Sequence, residues 1–245
     1  LLIAALLITA LARGLRVPFS TLPTHFTSAR PATPELREEC LWIVRLRWVA
    51  SVVVVAAVTC AMLADLLPQT PRISLLIATL ALPAGNVGFL IWSQRSANPR
   101  NVLAIQIVAD LILLSVLLHY AGGIQNPLLF VSAFHVIIAG ILLSRREAYA
   151  VAILAFLLLL SLGLREMSGL LPRYSIAGVP PLGDRPVYVI GVALALGFAL
   201  MGAAYFTTTI IAMLRRRERE LVQAGRMAAL GELSGMREKE GGALK

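Results

Sequence analysis

Two ionisable residues, Asp110 and His135, lie inside long apolar stretches of the sequence. Ionisable side chains are costly inside a membrane and usually face the interior of a helix bundle or a cavity. Counted from the short connector between their stretches, at 1.5 Å per helical residue, the two Cα atoms differ in depth by about 4–5 Å. We therefore predict an intramembrane polar pair that responds to a bound ligand or a proton. The alternative is a structural hydrogen bond that fixes how two helices pack.

A second group of polar and flexible residues surrounds the connector between these two stretches. These residues supply hydrogen-bond donors, and glycine lets a backbone approach a flat ring closely. The sequence therefore offers a candidate pocket for a flat ligand that accepts hydrogen bonds, formed by His119, Tyr120, Gly122, Gly123, Gln125, Asn126 and Pro127. The alternative is a tight turn, because glycine ends helices in the left-handed conformation, asparagine caps the next helix and proline suits its first turn.

The overall composition is that of a membrane protein. Of the 245 residues, 58% are hydrophobic and 14% are charged, whereas soluble domains average about 45–50% and about 25%. Two cysteines exclude a disulfide scaffold, and three scattered histidines give no metal-binding spacing, so we predict no metal site. The net charge of +9 comes mostly from Arg clusters between apolar runs. Such clusters set membrane topology and bind acidic lipid, and they do not form the basic face that nucleic acid requires.

Six apolar stretches are long enough to cross a bilayer core of about 30 Å as helices, and none alternates with the period of a strand. They are Trp48–Leu67, Ile73–Trp92, Val102–Tyr120, Pro127–Leu143, Ala148–Leu164 and Val187–Leu214. We therefore predict an all-α, polytopic membrane protein with a six-helix transmembrane bundle over residues 45–214. Eleven arginines flank one side of this bundle and four flank the other. Because Arg and Lys concentrate on the cytoplasmic side, both flanks of the bundle are predicted to be cytoplasmic.

Residues 1–44 are predicted to lie outside the bundle. Leu1–Ala12 is apolar but too short to span a membrane. We interpret it as the remnant of a helix, and a signal-peptide core is the alternative. Gly14–Glu39 lacks periodicity and is predicted to be a loosely ordered connector.

Residues 215–245 differ in composition from the bundle, and they begin with the charged, helix-forming run RRRERELVQAGR. Leu214, Leu221 and Ala228 are spaced by seven, which predicts a short coiled-coil seam on a cytoplasmic helix. A basic helix that lies on acidic lipid is the alternative.

The segment Met227–Ser234, MAALGELS, resembles the opening of the dimerisation and phosphoacceptor helix of bacterial sensor histidine kinases. The run RRRERELVQAGR before it is similar to the coiled-coil linker that joins the last membrane helix to that domain in such kinases. The RLRW at Arg45–Trp48, Asp110 in the third stretch and the GGIQNP at Gly122–Pro127 follow the layout of redox-sensing kinases of the Reg/Prr type. In that type, a GGxxNP loop is implicated in quinone sensing. The resemblance therefore implies that the candidate pocket around the connector is a quinone pocket.

The resemblance implies a multi-pass protein of the bacterial inner membrane with a cytoplasmic C-terminus. It also implies a homodimer formed through the C-terminal helix, with Leu221, Ala228, Leu230 and Leu233 on that dimer helix. The enzyme implied is a kinase that uses ATP and Mg²⁺ to phosphorylate its own histidine. The phosphoryl group would then pass to a response regulator.

The match ends after Ser234. The phosphoacceptor histidine of the family would fall near Lys239, but no histidine follows His135 in this sequence. We therefore expect this chain to be the sensor and signal-transmitting portion of such a kinase, without catalytic residues and with quinone as the candidate ligand. The alternative from another class is a small polytopic transporter or channel, for which Asp110, His135 and Pro83 provide only a thin polar path.

Overall fold

The computed structural model describes residues 34–67, 70–96, 99–180 and 182–242. Over these residues the chain consists of six α-helices, two short 3-10 turns and their connections, without a strand. The helices are α1 Pro34–Leu63, α2 Arg72–Arg95, α3 Pro99–Tyr120, α4 Ser132–Leu142, α5 Arg145–Ser168 and α6 Pro186–Gly242. The 3-10 turns, Gly123–Gln125 and Pro127–Val131, both lie between α3 and α4. The all-α prediction is confirmed for this part of the chain.

Five of these helices, α1, α2, α3, α5 and α6, are long and apolar enough to cross a membrane. The remaining apolar segment, Pro127–Leu142, is shorter. Large apolar side chains are exposed along the helices, among them Ile77, Phe134 and Phe198. A soluble monomer rarely exposes so much apolar surface, so the described helices have both the lengths and the surfaces of a polytopic membrane protein.

The first helix begins earlier than the apolar pattern predicts. It starts at Pro34, ahead of Trp48, and it ends at Leu63. The prediction of a loosely ordered connector is therefore wrong for residues 34–39. A proline suits the first turn of a helix, and the Glu, Leu and Arg residues that follow it are good helix formers. Residues 1–33, with the apolar run Leu1–Ala12, lie outside the described residues.

Three connections meet at one end of the structure, which we call the loop end. They are residues 64–71, 121–131 and 169–185, of which residues 68, 69 and 181 lie outside the described part of the chain. The N–H of Ala177 donates to the carbonyl of Leu66 at 2.9 Å. The hydroxyl of Thr70 donates to the carbonyl of Tyr120 at 2.8 Å. Hydrogen bonds between connections so far apart in sequence are consistent with helices that alternate in direction.

Helix α3 separates two apolar clusters. One of its faces, which carries Leu103, Ile107 and Leu111, packs into the main cluster with α4, α5 and α6. Its other face, which carries Leu113 and Leu117, packs against α1 and α2. Polar residues on this second face are therefore held between three helices.

Candidate functional site

Asp110 of α3 forms an ion pair with Arg47 of α1. Nη2 of Arg47 lies 2.8 Å from Oδ1 of Asp110, and the side chains are only 11% and 15% exposed. The guanidinium also lies over the ring of Phe89 from α2, 4.7 Å from the ring centroid. Three helices thus meet at one charge pair and one cation–π contact, and both interactions strengthen where water is excluded.

The structure does not join Asp110 to His135. Among the described residues, the hydrogen-bond partner of the His135 ring is the carbonyl oxygen of Val131, which lies 3.3 Å from Nδ1. The predicted pair follows from the relative depths of α3 and α4 alone, whereas in the structure Arg47 reaches Asp110 from α1. A guanidinium suits a buried carboxylate better than an imidazole does, because it is always charged and offers five donors.

The ion pair belongs to a larger set of buried polar residues, which we call the polar cluster: Arg47, Ser51, Asn86, Gln106 and Asp110. The hydroxyl of Ser51 donates to the carbonyl of Arg47 at 2.8 Å. Nδ2 of Asn86 donates to Oγ of Ser51 at 2.9 Å. Asn86 and Gln106 are each only 1% exposed. The cluster therefore crosses the interface of α1, α2 and α3.

Arg47, Ser51, Asn86 and Gln106 are not singled out as site residues by the sequence analysis. Arg47 stands next to the predicted start of the first span, where an arginine is expected to mark topology. Two signals point to the cluster nevertheless. Polar amides are uncommon inside transmembrane helices and usually join neighbouring helices. Arg47 and Ser51, and likewise Gln106 and Asp110, are four residues apart and so share one face of their helix.

Gly122 and Gly123 form a tight turn at the loop end. Their φ angles are 106° and 62°, in the left-handed region that favours glycine. A Cβ on Gly122 would lie 2.6 Å from Cγ1 of Ile176, and a Cβ on Gly123 would overlap the carboxylate of Glu166. The space beside both glycines is thus filled by the protein, as the tight-turn alternative requires.

Glu166, near the end of α5, holds this turn in place. Its side chain is buried, and Oε2 accepts the N–H of Ile124 at 3.3 Å. The Nε of Arg173 donates to the backbone carbonyl of Glu166 at 2.7 Å. The sequence analysis does not include Glu166, although a carboxylate next to the apolar run of the fifth predicted span was available as a signal.

Gln125 is bound to the connection between α5 and α6. In the orientation that satisfies its neighbours, its amide donates to the carbonyl of Pro180 at 3.1 Å. The amide oxygen then accepts the N–H groups of Leu182 and Gly183, at 2.7 and 3.0 Å. These hydrogen bonds tie two connections together, so the amide is engaged within the protein.

Asn126 caps the 3-10 turn that leads into α4. Its Oδ1 accepts the N–H of Leu128 at 2.9 Å, and its Nδ2 donates to the carbonyl of Ala121 at 2.8 Å. Pro127 follows at the first position of the turn. The side-chain donors that the sequence offers to a quinone at Gln125 and Asn126 are thus used inside the protein.

His119 and Tyr120 belong to an aromatic group at the end of α3. The His119 ring lies 5.1 Å from the ring of Tyr120 and 5.3 Å from that of Tyr174, between ring centroids. Tyr120 and Tyr174 lie 5.7 Å apart. Nδ1 of His119 is buried without a hydrogen-bond partner among the described residues. These rings pack together at the end of α3 that lies at the loop end.

An open groove of about 490 Å³ lies between the connection of residues 121–131, which we call the loop, and the beginning of α6. Its lining is mostly apolar and comprises Ile124, Gln125, Asn126, Pro127, Leu129, Phe130, Val187, Tyr188, Gly191, Val192 and Ala195. The groove includes the last three residues of the predicted quinone pocket, but not His119, Tyr120 or the two glycines. The residues of the predicted pocket therefore lie in three places: in the wall of the groove, in the glycine turn and in the aromatic group.

The C-terminal segment continues α6 without a break to Gly242. Leu221 lies on this helix and is 74% exposed. Ala228, Leu230 and Leu233 also lie on it, and their side chains are outside the described part of the structure. Over its described residues, the structure shows no cluster of three or more His, Cys, Asp or Glu side chains that could hold a metal ion.

Comparisons with protein families, with curated proteins and with solved structures find no match for this chain.

Proposed function

We propose that this chain is the membrane sensor and signal-transmitting portion of a bacterial two-component histidine kinase. The observation that carries the proposal is the unbroken helix α6, whose 57 residues begin at the groove at the loop end and include the MAALGELS motif. At 1.5 Å per residue such a helix is about 85 Å long, whereas a bilayer core takes only about 30 Å. A change at one end of α6 is therefore able to reach a domain well outside the membrane.

The input site in this proposal is the groove beside the first three turns of α6. Its walls are apolar and include the rings of Phe130 and Tyr188. Such a lining suits a flat, hydrophobic ligand from the membrane, and we assign it to a quinone. The ligand would touch the loop on one side and α6 on the other. A ligand changes an equilibrium only if it binds two arrangements unequally, and a groove between two elements allows that difference.

The loop also reaches α6 through α4. Gly140 of α4 lies so close to α6 that a Cβ on it would be 2.8 Å from Cγ2 of Thr207. Close contacts at glycine are typical of helices that pack tightly in membranes. A shift of the loop is therefore passed to α6 at the groove and again at this contact.

In the membrane, we propose six crossings rather than five. The 3-10 turn Pro127–Val131 and α4 together extend about 26 Å, which is close to the thickness of the bilayer core. With six crossings, the arginine-rich ends and the C-terminal part of α6 lie in the cytoplasm. The loop end then faces the periplasmic side of the inner membrane.

The output in this proposal is a homodimer formed along the cytoplasmic part of α6. The exposed Leu221 and the seven-residue spacing around it support a coiled-coil contact. The phosphoacceptor histidine, the ATP- and Mg²⁺-binding domain and the contact with a response regulator would come from the remainder of a kinase.

The proposal is tested by fusing residues 1–234 to the catalytic part of a characterised sensor histidine kinase. Autophosphorylation is measured in proteoliposomes with oxidised or reduced quinone. We expect the rate to depend on the quinone, and to lose that dependence in Gly191→Leu, which fills the groove. Gly202→Leu is the matched control, since nothing lies within 4 Å of a Cβ at either glycine and Gly202 does not line the groove. An autophosphorylation rate that does not change with the quinone in the unmodified fusion would contradict the quinone assignment. A rate unaffected by changes of helix register between residues 215 and 226 would contradict signalling through α6.

A further inference from the structure

Four buried polar atoms of the polar cluster have no hydrogen-bond partner among the described residues. They are Nη1 of Arg47, Oδ1 of Asn86, and Nε2 and Oε1 of Gln106. Buried polar groups in native proteins are nearly always hydrogen-bonded, because an unpaired group loses its water without compensation. Four such atoms in one interface therefore require a partner beyond the described residues.

The contacts of the cluster place these atoms near one another. Gln106 stands one helical turn before Asp110, so their Cβ atoms are about 5–6 Å apart, and Asp110 is bound directly to Arg47. Asn86 is bound to Ser51, which stands one turn after Arg47. Each of the four atoms thus belongs to the ion pair, to a residue one helical turn from it, or to a residue bonded to such a neighbour.

Gln106 also lies on the face of α3 that packs against α1 and α2. It is seven residues before Leu113, so the two side chains lie on nearly the same face of the helix. Leu113 packs in the cluster formed with α1 and α2. The Gln106 amide is therefore directed toward the helices that carry Arg47 and Asn86.

The chemistry of the four atoms selects a neutral partner that both donates and accepts hydrogen bonds. Nη1 of Arg47 and Nε2 of Gln106 are donors, whereas Oδ1 of Asn86 and Oε1 of Gln106 are acceptors. An added anion would meet Asp110 and an added cation would meet Arg47, while the ion pair is neutral as a unit. Buried water typically makes about three hydrogen bonds to otherwise unpaired groups. We infer that the polar cluster binds internal water between Arg47, Asn86 and Gln106.

Bound water changes the properties of the ion pair. A dry pair in a low-dielectric interface is held firmly, whereas water beside it screens the attraction and supplies alternative partners. The interface of α1 with α3 would then be able to rearrange without leaving a charge wholly without hydrogen-bond partners.

Radiolytic hydroxyl labelling in ¹⁸O-water tests this inference on the full chain in lipid nanodiscs. Water bound inside a protein produces radicals that label adjacent side chains. Phe89 lies against the Arg47 guanidinium, whereas Phe156 packs on the apolar main cluster and serves as the control. We expect several-fold more label on Phe89 than on Phe156. Equal, low labelling of both rings would overturn the inference.

A second measurement places the water at the cluster. Gln106→Leu removes two of the four unpaired atoms at similar volume. If water occupies the site, the variant loses label at Phe89 and its melting temperature falls or stays unchanged. If the site is dry, the variant relieves two unpaired atoms and melts at a higher temperature, which would overturn the inference. If Gln106→Leu does not fold, Asn86→Leu is used instead and is read by its label on Phe89 alone, because this change also removes the hydrogen bond from Nδ2 to Oγ of Ser51. Label on Phe89 that survives both changes would also count against a site in this cluster.

Discussion

The carboxylate of Glu166 fills the space that a side chain on Gly123 would need. The same carboxylate accepts the N–H of Ile124, the next residue of the loop. Glycine at position 123 is thus required twice, by its φ of 62° and by the close approach of α5. This contact joins the connection between α3 and α4 to the end of α5.

Gly123→Ala is expected to destabilise the protein more than Gly169→Ala does. Gly169 has a similar φ of 69°, but nothing lies within 4 Å of a Cβ built on it. Both variants therefore bear the same backbone strain, and only Gly123→Ala also displaces Glu166. Overpacking of this kind typically costs about 1–3 kcal/mol. The difference is measured from the melting temperatures of the two variants in detergent.

A double variant isolates the clash. Glu166→Ala in the Gly123→Ala background removes the group that is displaced, so the two changes together are expected to cost less than their sum. Equal losses of stability for Gly123→Ala and Gly169→Ala would show that the carboxylate yields without cost, and would contradict the role given to Glu166.

Replacing one partner of the buried ion pair is expected to lower the free energy of unfolding more than replacing both partners. Arg47→Leu or Asp110→Leu leaves one charge buried without its partner, which typically costs about 3–5 kcal/mol. The double variant leaves no unpaired charge, so its loss should be well below the sum of the two single losses. Additive losses in this double-mutant cycle would contradict the pairing.

The exposed pair of Arg72 and Asp65 provides the control for that cycle. Its charged atoms are 3.7 Å apart, and the side chains are 72% and 69% exposed. Pairs in water contribute less than about 1 kcal/mol, so Asp65→Asn should change the melting temperature little. Asparagine also tolerates the positive φ of 49° at this position.

The helices and the tight turn were predictable from the sequence, because both depend on local patterns. Long apolar runs predict helices, and the order Gly-Gly-x-x-Asn-Pro predicts a helix end followed by a new helix start. The partner of Asp110 was not predictable in the same way. It depends on how α1 is rotated about its axis and on the reach of a long arginine side chain. The role of Glu166 was not predictable either, because its partner is a backbone N–H and no residue type in the sequence marks it.

Asn126→Ala is expected to lower stability by about 0.5–2 kcal/mol through loss of the cap. It also leaves the carbonyl of Ala121 without the amide that bonds to it. Asn126→Ser keeps an oxygen that accepts the N–H of Leu128, so it should lose less. Melting temperatures of the two variants check this order. Equal losses would mean that the stability comes from the hydrogen bond to Ala121 and that the cap contributes nothing.

Gly140→Ala is expected to loosen the contact between α4 and α6. A Cβ at this position would lie 2.8 Å from Cγ2 of Thr207 and 3.0 Å from its Cβ, so one helix must move or the threonine must turn. Thr207→Ser removes the methyl group and should restore much of the stability in the double variant. Gly88→Ala is the control, because nothing lies within 4 Å of a Cβ there and alanine in a helix is favoured over glycine by about 0.5–1 kcal/mol.

In the kinase fusion, Gly140→Ala should also weaken the response to quinone, and Thr207→Ser should recover it. A fusion that responds normally while α4 and α6 are forced apart would show that the signal reaches α6 through the groove alone.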